Sequence, residues 1–182
     1  HGNMNGLAYQ VLHAKKMQAA GKDFKPIFGC EAYFLPSLEE WREEYTKAMA
    51  DKKKARSIKK AGQSGATVED ENDSKKVQGL LRRRRHLVLL AQTPKGLTNL
   101  FKLISESYQP ENYYRYPRVD YALLKKYGEG IIATSACLGG VYAGNYWENR
   151  EESDEAVLEA MRETTRQMVD IFGDRWYAEL QW

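Results

Sequence analysis

An α/β fold, a mainly parallel sheet with helices on its outer face, is predicted by three observations. Several short apolar runs are continuous rather than alternating, segments of helical period separate them, and residues with metal-ligand chemistry touch those runs about one strand-and-helix unit apart. A metal centre assembled from successive strand ends of a barrel would give this layout.

The elements follow in order. Gly6 to Ala20 has helical spacing, with Leu7, Val11, Leu12 and Met17 as its apolar positions, and stops at Gly21. Residues 25–34 form a short apolar strand closed by Pro36. Ser37 then caps a helix with Glu39, Glu40 and Glu43 in its early turns, where acidic groups suit the helix dipole. His86 to Ala91 is a second strand, and Pro94 to Ser107 a helix with Leu97, Leu100, Phe101 and Ile104 on one face. Asp120 to Tyr127 is a short helix ending at Gly128, and residues 130–135 are a third strand. Glu151 to Phe172 is the longest helix, stopped by Gly173, before a fourth strand over residues 176–181.

A length of 182 residues, 42% hydrophobic and 29% charged, suits one globular domain, residues 1–182. No window approaches 18 apolar residues and the start lacks the pattern of a secretion signal, so a soluble cytoplasmic protein with no membrane partner is expected. The chain begins without Met and starts and stops in mid-element, as a fragment of something longer would. Cys30 and Cys137 are too few for a secreted disulfide framework and are expected to be free thiols.

The net charge of +3 hides an imbalance: residues 51–85 hold 12 Lys and Arg against 5 Asp and Glu, leaving the remainder at −4. With its sparse apolar residues, the segment 37–85 reads as a charged, partly helical and mobile insertion projecting from the core. Its closing run, Arg82, Arg83, Arg84 and Arg85, is either a solvated helix end or a contact to nucleic-acid phosphates.

Glu31 lies in a buried strand, where a carboxylate needs a metal or a structural salt bridge. Cys30, its neighbour, points to the opposite face and reads as a small core residue. Cys137 follows a strand and precedes Gly139 and Gly140, which permit a tight turn at the strand's C-terminal end; it is a ligand or a buried thiol. His1 occupies a strand-to-helix turn. His86 opens its strand, which in a parallel barrel puts it at the wrong end, so a packed or hydrogen-bonded histidine competes with a ligand. His13, mid-helix beside Lys15 and Lys16, reads as a surface residue.

Five blocks carry a family resemblance: His1-Gly2-Asn3-Met4-Asn5-Gly6; residues 25–33 (KPIFGCEAY); residues 86–91 (HLVLLA); residues 130–140 (GIIATSACLGG); and residues 177–181 (YAELQ). In this order they resemble the polymerase-and-histidinol-phosphatase (PHP) domain at the N-terminus of bacterial DNA polymerase III α subunits. The stretch Pro94 to Tyr108 is also more similar to replicative polymerases than to free-standing phosphatases. The resemblance implies a distorted β/α barrel whose pocket holds two or three divalent ions, with zinc, manganese or iron as usual occupants, and it makes His1, Glu31, His86 and Cys137 metal ligands. It implies a phosphoesterase, in the intact protein a 3′-to-5′ exonuclease serving DNA replication, with primer-template DNA and other replisome subunits as partners. The alternatives are a non-catalytic PHP module that supports the polymerase and docks a proofreading subunit, and a histidinol-phosphatase-like small-molecule enzyme. The family's upstream His-x-His and downstream Asp-x-His pairs do not occur here, as expected of a chain cut at both ends, and the fragment lacks the polymerase's own catalytic carboxylates.

Overall fold

The computed structural model describes residues 1–60, 79 and 82–181. At its centre is a four-stranded sheet in the order β1 (Gly29–Phe34), β2 (Arg85–Ala91), β5 (Ile131–Thr134), β6 (Trp176–Tyr177). The expectation of mainly parallel strands is corrected here. β1 pairs antiparallel with β2, and β2 antiparallel with β5; of the three pairings only β5 with β6 is parallel. Apolar runs report which faces are buried and carry no information on direction. In β2 the runs also conceal an alternation, since Arg85, Leu87 and Leu89 are buried while His86, Val88 and Leu90 are half-buried.

That alternation divides the sheet. On one face Cys30, Ala32 and Phe34 of β1, Leu87 and Leu89 of β2 and Ile131 and Ala133 of β5 form the core. Four helices supply the other half of it: α3 (Pro94–Ser107) through Leu100 and Leu103, α4 (Tyr121–Tyr127) through Leu124, α5 (Val141–Asn149) through Val141, and α6 (Asp154–Phe172) through Met168 and Phe172. Their buried apolar surface is the main stabilising contribution, at about 25 cal/mol per Å². The opposite face carries Glu31, Tyr33, His86 and Val88.

Local signals explain most boundaries. The Thr93 hydroxyl accepts from the Gly96 amide (3.0 Å) and Pro94 opens α3, while Ser153 caps α6 by accepting from Ala156 (3.1 Å). Asp120 caps two helices at once. One carboxylate oxygen accepts from Leu123 of α4 (2.9 Å), the other from Leu38 (3.1 Å) at the start of α2 (Leu38–Lys60). Ser37 accepts from Glu40 as its sequence position suggests (3.1 Å).

Other expectations shift. Phe101 is exposed, and α3 packs instead through Leu100 and Leu103. α1 (Leu7–Ala19) buries only Ala14 and leaves Leu12 exposed. The fourth strand ends at Tyr177. α5 went unforeseen, as did the small hairpin of β3 (Tyr113–Tyr114) and β4 (Tyr116–Pro117). The first turns of the 37–85 segment do not project: Leu38 and Trp41 of α2 pack on Leu35, with Tyr45 and Tyr114 against them. The stretch Gly62 to Gly65 lies outside the described residues.

Candidate metal centre

The antiparallel pairing settles where His86 lies. Tyr33 near the end of β1 stands opposite His86 at the start of β2, so Glu31, two residues before Tyr33, is the diagonal same-face neighbour of His86. His86 also bridges to Gly140, just beyond the end of β5, and its amide donates to the Gly139 carbonyl (2.7 Å). A strand that opens at this edge therefore delivers its first residues where its antiparallel neighbours deliver their last.

The loop after β5 brings in Cys137. Ala136 adopts a left-handed conformation (φ 59), and the Gly139 amide donates to Cys137 Sγ (3.4 Å). A Cβ on Gly139 would stand 3.2 Å from His86 Nδ1 and crowd the imidazole, while one on Gly140 would collide with the Ser135 carbonyl, so Gly140 is required for this turn. Gly2 does the same for the N-terminal segment. At φ +69 its amide donates to the Glu31 carbonyl (2.7 Å), and a Cβ there would meet Pro117 at 2.7 Å.

The result is a chain of contacts on the sheet's open face. Glu31 Oε1 lies 2.5 Å from His86 Nδ1, Glu31 Oε2 lies 3.0 Å from His1 Nδ1, and His86 Nδ1 lies 3.5 Å from Cys137 Sγ. One ligand atom each from Glu31, His86 and Cys137 falls within 4.8 Å of the others. His1 stands at the margin, its side chain 71% exposed and joined through Glu31, so three of the four sequence candidates come together and the fourth borders them. Cys30 is buried in the core and burial pushes its thiol pKa up, which fits a packing role; His13 is exposed, edge-on to Phe24.

The donor set fits a borderline divalent ion. Bonds of about 2.0–2.3 Å around tetrahedral zinc put ligand atoms about 3.4–3.8 Å apart, a spacing the Cys137–His86 pair already has, whereas Glu31 and His86 stand at hydrogen-bonding distance. Carboxylate, imidazole and thiolate together suit zinc better than magnesium or calcium.

The arginine run is divided by the same register. Arg85 is buried on the core face; it donates to Asn145 Oδ1 (2.6 Å) and forms an ion pair with Glu148, and is therefore neither a solvated helix end nor available to a phosphate. Arg82 and Arg83 are exposed. Arg84 is half-buried over the ring of Tyr116 (4.0 Å) and near that of Tyr33 (5.3 Å). Tyr33 and Tyr116 escaped the sequence reading, although the position of Tyr33, two residues after Glu31, was enough to place it on the same face.

The whole chain, residues 1–182, matches the family model described as PHP domain. It is 36% identical over 181 residues to the DNA polymerase III subunit alpha of Aquifex aeolicus, 32% over 181 residues to that of Deinococcus radiodurans and 34% over 182 residues to that of Borreliella burgdorferi. Each alignment takes in 100% of this chain, which spans 12%, 10% and 12% of the respective relatives.

Proposed function

The chain belongs to the PHP domain family, and on that premise we propose that it is the PHP portion of a DNA polymerase III α subunit, with Glu31, His86 and Cys137 and the bordering His1 as ligands of a phosphoesterase metal centre. The observation that carries the reading is the approach of a carboxylate, an imidazole and a thiol from three separate segments to within 4.8 Å on the open face of the sheet. In the intact protein the site would hold two or three divalent ions, zinc or manganese, and trim misincorporated nucleotides from primer 3′ ends within the replisome. When bound, the metal lowers the pKa of water and offsets charge that develops on phosphate oxygens.

The chain's own groups provide the rest. Before an ion binds, Glu31 presents an oxygen to Nδ1 of each histidine and so holds both rings beside its carboxylate. The Gly139 amide directs its N–H at Cys137 Sγ and so fixes where the sulfur points. The buried Tyr33 ring lies 5.6 Å from the His86 ring and shields it from solvent on one side. Among the described residues no helix is long and apolar enough to cross a membrane, and the proposed work is on DNA.

Metal analysis of the intact polymerase, with a nuclease assay on mismatched primer ends, tests this. Glu31→Gln should lose bound metal and 3′ trimming while polymerisation persists. Trimming at the parental rate by that variant would refute the hydrolytic reading. A parent that never trims favours the non-catalytic module, and efficient hydrolysis of histidinol phosphate with DNA ignored favours the small-molecule enzyme.

A further inference from the structure

Next to the ligand cluster, on the same face of the sheet, lies a cation whose charge the mechanism above leaves unused. Arg84 precedes His86 by two residues and its guanidinium packs 4.0 Å from the centre of the Tyr116 ring and 5.3 Å from that of Tyr33. The two tyrosine rings meet edge to face at 5.2 Å, and Tyr33 in turn lies 5.6 Å from the His86 ring. Arg84 is thus linked to the ligand cluster through the Tyr33 ring that lies between its own contact and His86.

Its hydrogen bonding is incomplete. Nη1 donates to the Arg82 carbonyl at 3.3 Å and the guanidinium also hydrogen-bonds the Tyr33 side chain, while Nε is buried without an acceptor. Arg85 has Glu148, but among the described residues no carboxylate forms an ion pair with Arg84. A second guanidinium raises the local positive potential. Arg118 is fully buried against Trp41 (4.5 Å), its pKa lowered to about 10 by burial and then by the charge of Arg84. Exposed Arg82 and Arg83 add to the same end. A planar cation fixed on aromatic faces loses little freedom on binding and offers a fork of donors suited to phosphate oxygens.

We infer that Arg84, seated on Tyr116 and Tyr33, anchors the phosphate adjoining the one held at the ligand cluster, and so makes the site selective for a polynucleotide end over a small phosphate monoester. The inference rests on the metal-centre reading proposed above and assigns the residue that sets its choice between substrates.

The test uses the full 182-residue chain with zinc and two probes: a short single-stranded oligothymidylate and thymidine 5′-monophosphate. Arg84→Gln should weaken oligonucleotide binding about tenfold and reduce its salt slope by about one, while thymidine monophosphate binds as before. Arg84→Lys should keep the salt slope and recover part of the affinity, since it retains charge but not the planar fork. Thermal midpoints and zinc content are followed in every variant and should match the parent. Unchanged oligonucleotide binding in Arg84→Gln overturns the inference, as does equal weakening of both probes. Failure of the parent chain to bind zinc, or to bind thymidine monophosphate when zinc is present, would instead sink the metal-centre reading.

Discussion

Replacing the Cys137 sulfur by oxygen isolates the ligand role from packing. Cys137→Ser keeps side-chain shape and leaves the Gly139 amide an acceptor, and the residue is half-buried, so the thermal midpoint without added metal should stay within about 2 °C of the parent. Zinc should separate the two proteins. The Cys137–His86 pair is already spaced at 3.5 Å for a shared ion, while Glu31 must move roughly 1 Å from His86 and give up a charge-assisted hydrogen bond worth about 1.5–3 kcal/mol. The site therefore depends on the strong sulfur ligand to offset that loss. At free zinc of about 100 times its dissociation constant the parent gains about 2.7 kcal/mol, which for a domain of this size raises the midpoint by about 5–11 °C. A hundredfold weaker site at the same zinc concentration gains only about 0.4 kcal/mol, or less than about 2 °C. Differential scanning fluorimetry at fixed free zinc reads the difference. A full shift in Cys137→Ser, or none in the parent, would refute the reasoning.

Arg85→Met removes a guanidinium that is buried but whose partner Glu148 is 46% exposed, so solvent screening brings the usual cost of breaking a buried pair down to about 2 kcal/mol, or a midpoint lower by about 4–8 °C by calorimetry, with oligonucleotide affinity unchanged. The Glu179 carboxyl, which accepts from Thr134 Oγ1 (2.7 Å) and from Gln181, is held below the ordinary carboxylate range by those bonds. The stability it lends is present above that range and is lost as pH falls through its folded value. The hydrogen-exchange protection factor of the Glu179 amide, which donates to Ser135 Oγ (2.8 Å), should fall on acidification more in the parent than in Glu179→Gln.

Much of the element pattern was legible because local chemistry fixes it: Ser37, Thr93, Asp120 and Gly173 mark helix ends by bonds made within a few residues. Glu31, His86 and Cys137 were legible for a similar reason, since polar groups with ligand chemistry seldom border apolar strands without a partner. Strand direction was not legible, because it is set by pairings between residues some fifty positions apart, such as Glu31 with Val88. The strand-end objection to His86 came from assuming parallel strands: with β2 reversed, His86 lies at the same edge as Glu31 and Cys137. Arg85 misled for another reason. Four identical side chains carry no mark of which one turns inward, and only contacts with Asn145 and Glu148 on α5, an element hidden by its mixed composition, decide it.

Those four arginines also show what specifies the register of β2. A slip of one residue that moves Arg84 into the place of Arg85 would still leave an arginine at the core edge beside Glu148 and another, Arg83, facing Tyr116, so the run by itself cannot exclude that slip. His86 and Leu87 can: a slip would turn the imidazole into the core and drive the fully buried leucine out onto the open face, losing about 1.5–3 kcal/mol for the leucine alone. The residue that the proposed chemistry needs on the open face is thus half of the pair that locks the strand, and its neighbour Leu87 is the other half. Variation among the arginines can then adjust the charge beside the site without moving the ligands, whereas insertion or deletion between residues 82 and 86 would disturb the β2 register and the His86–Glu31 contact together.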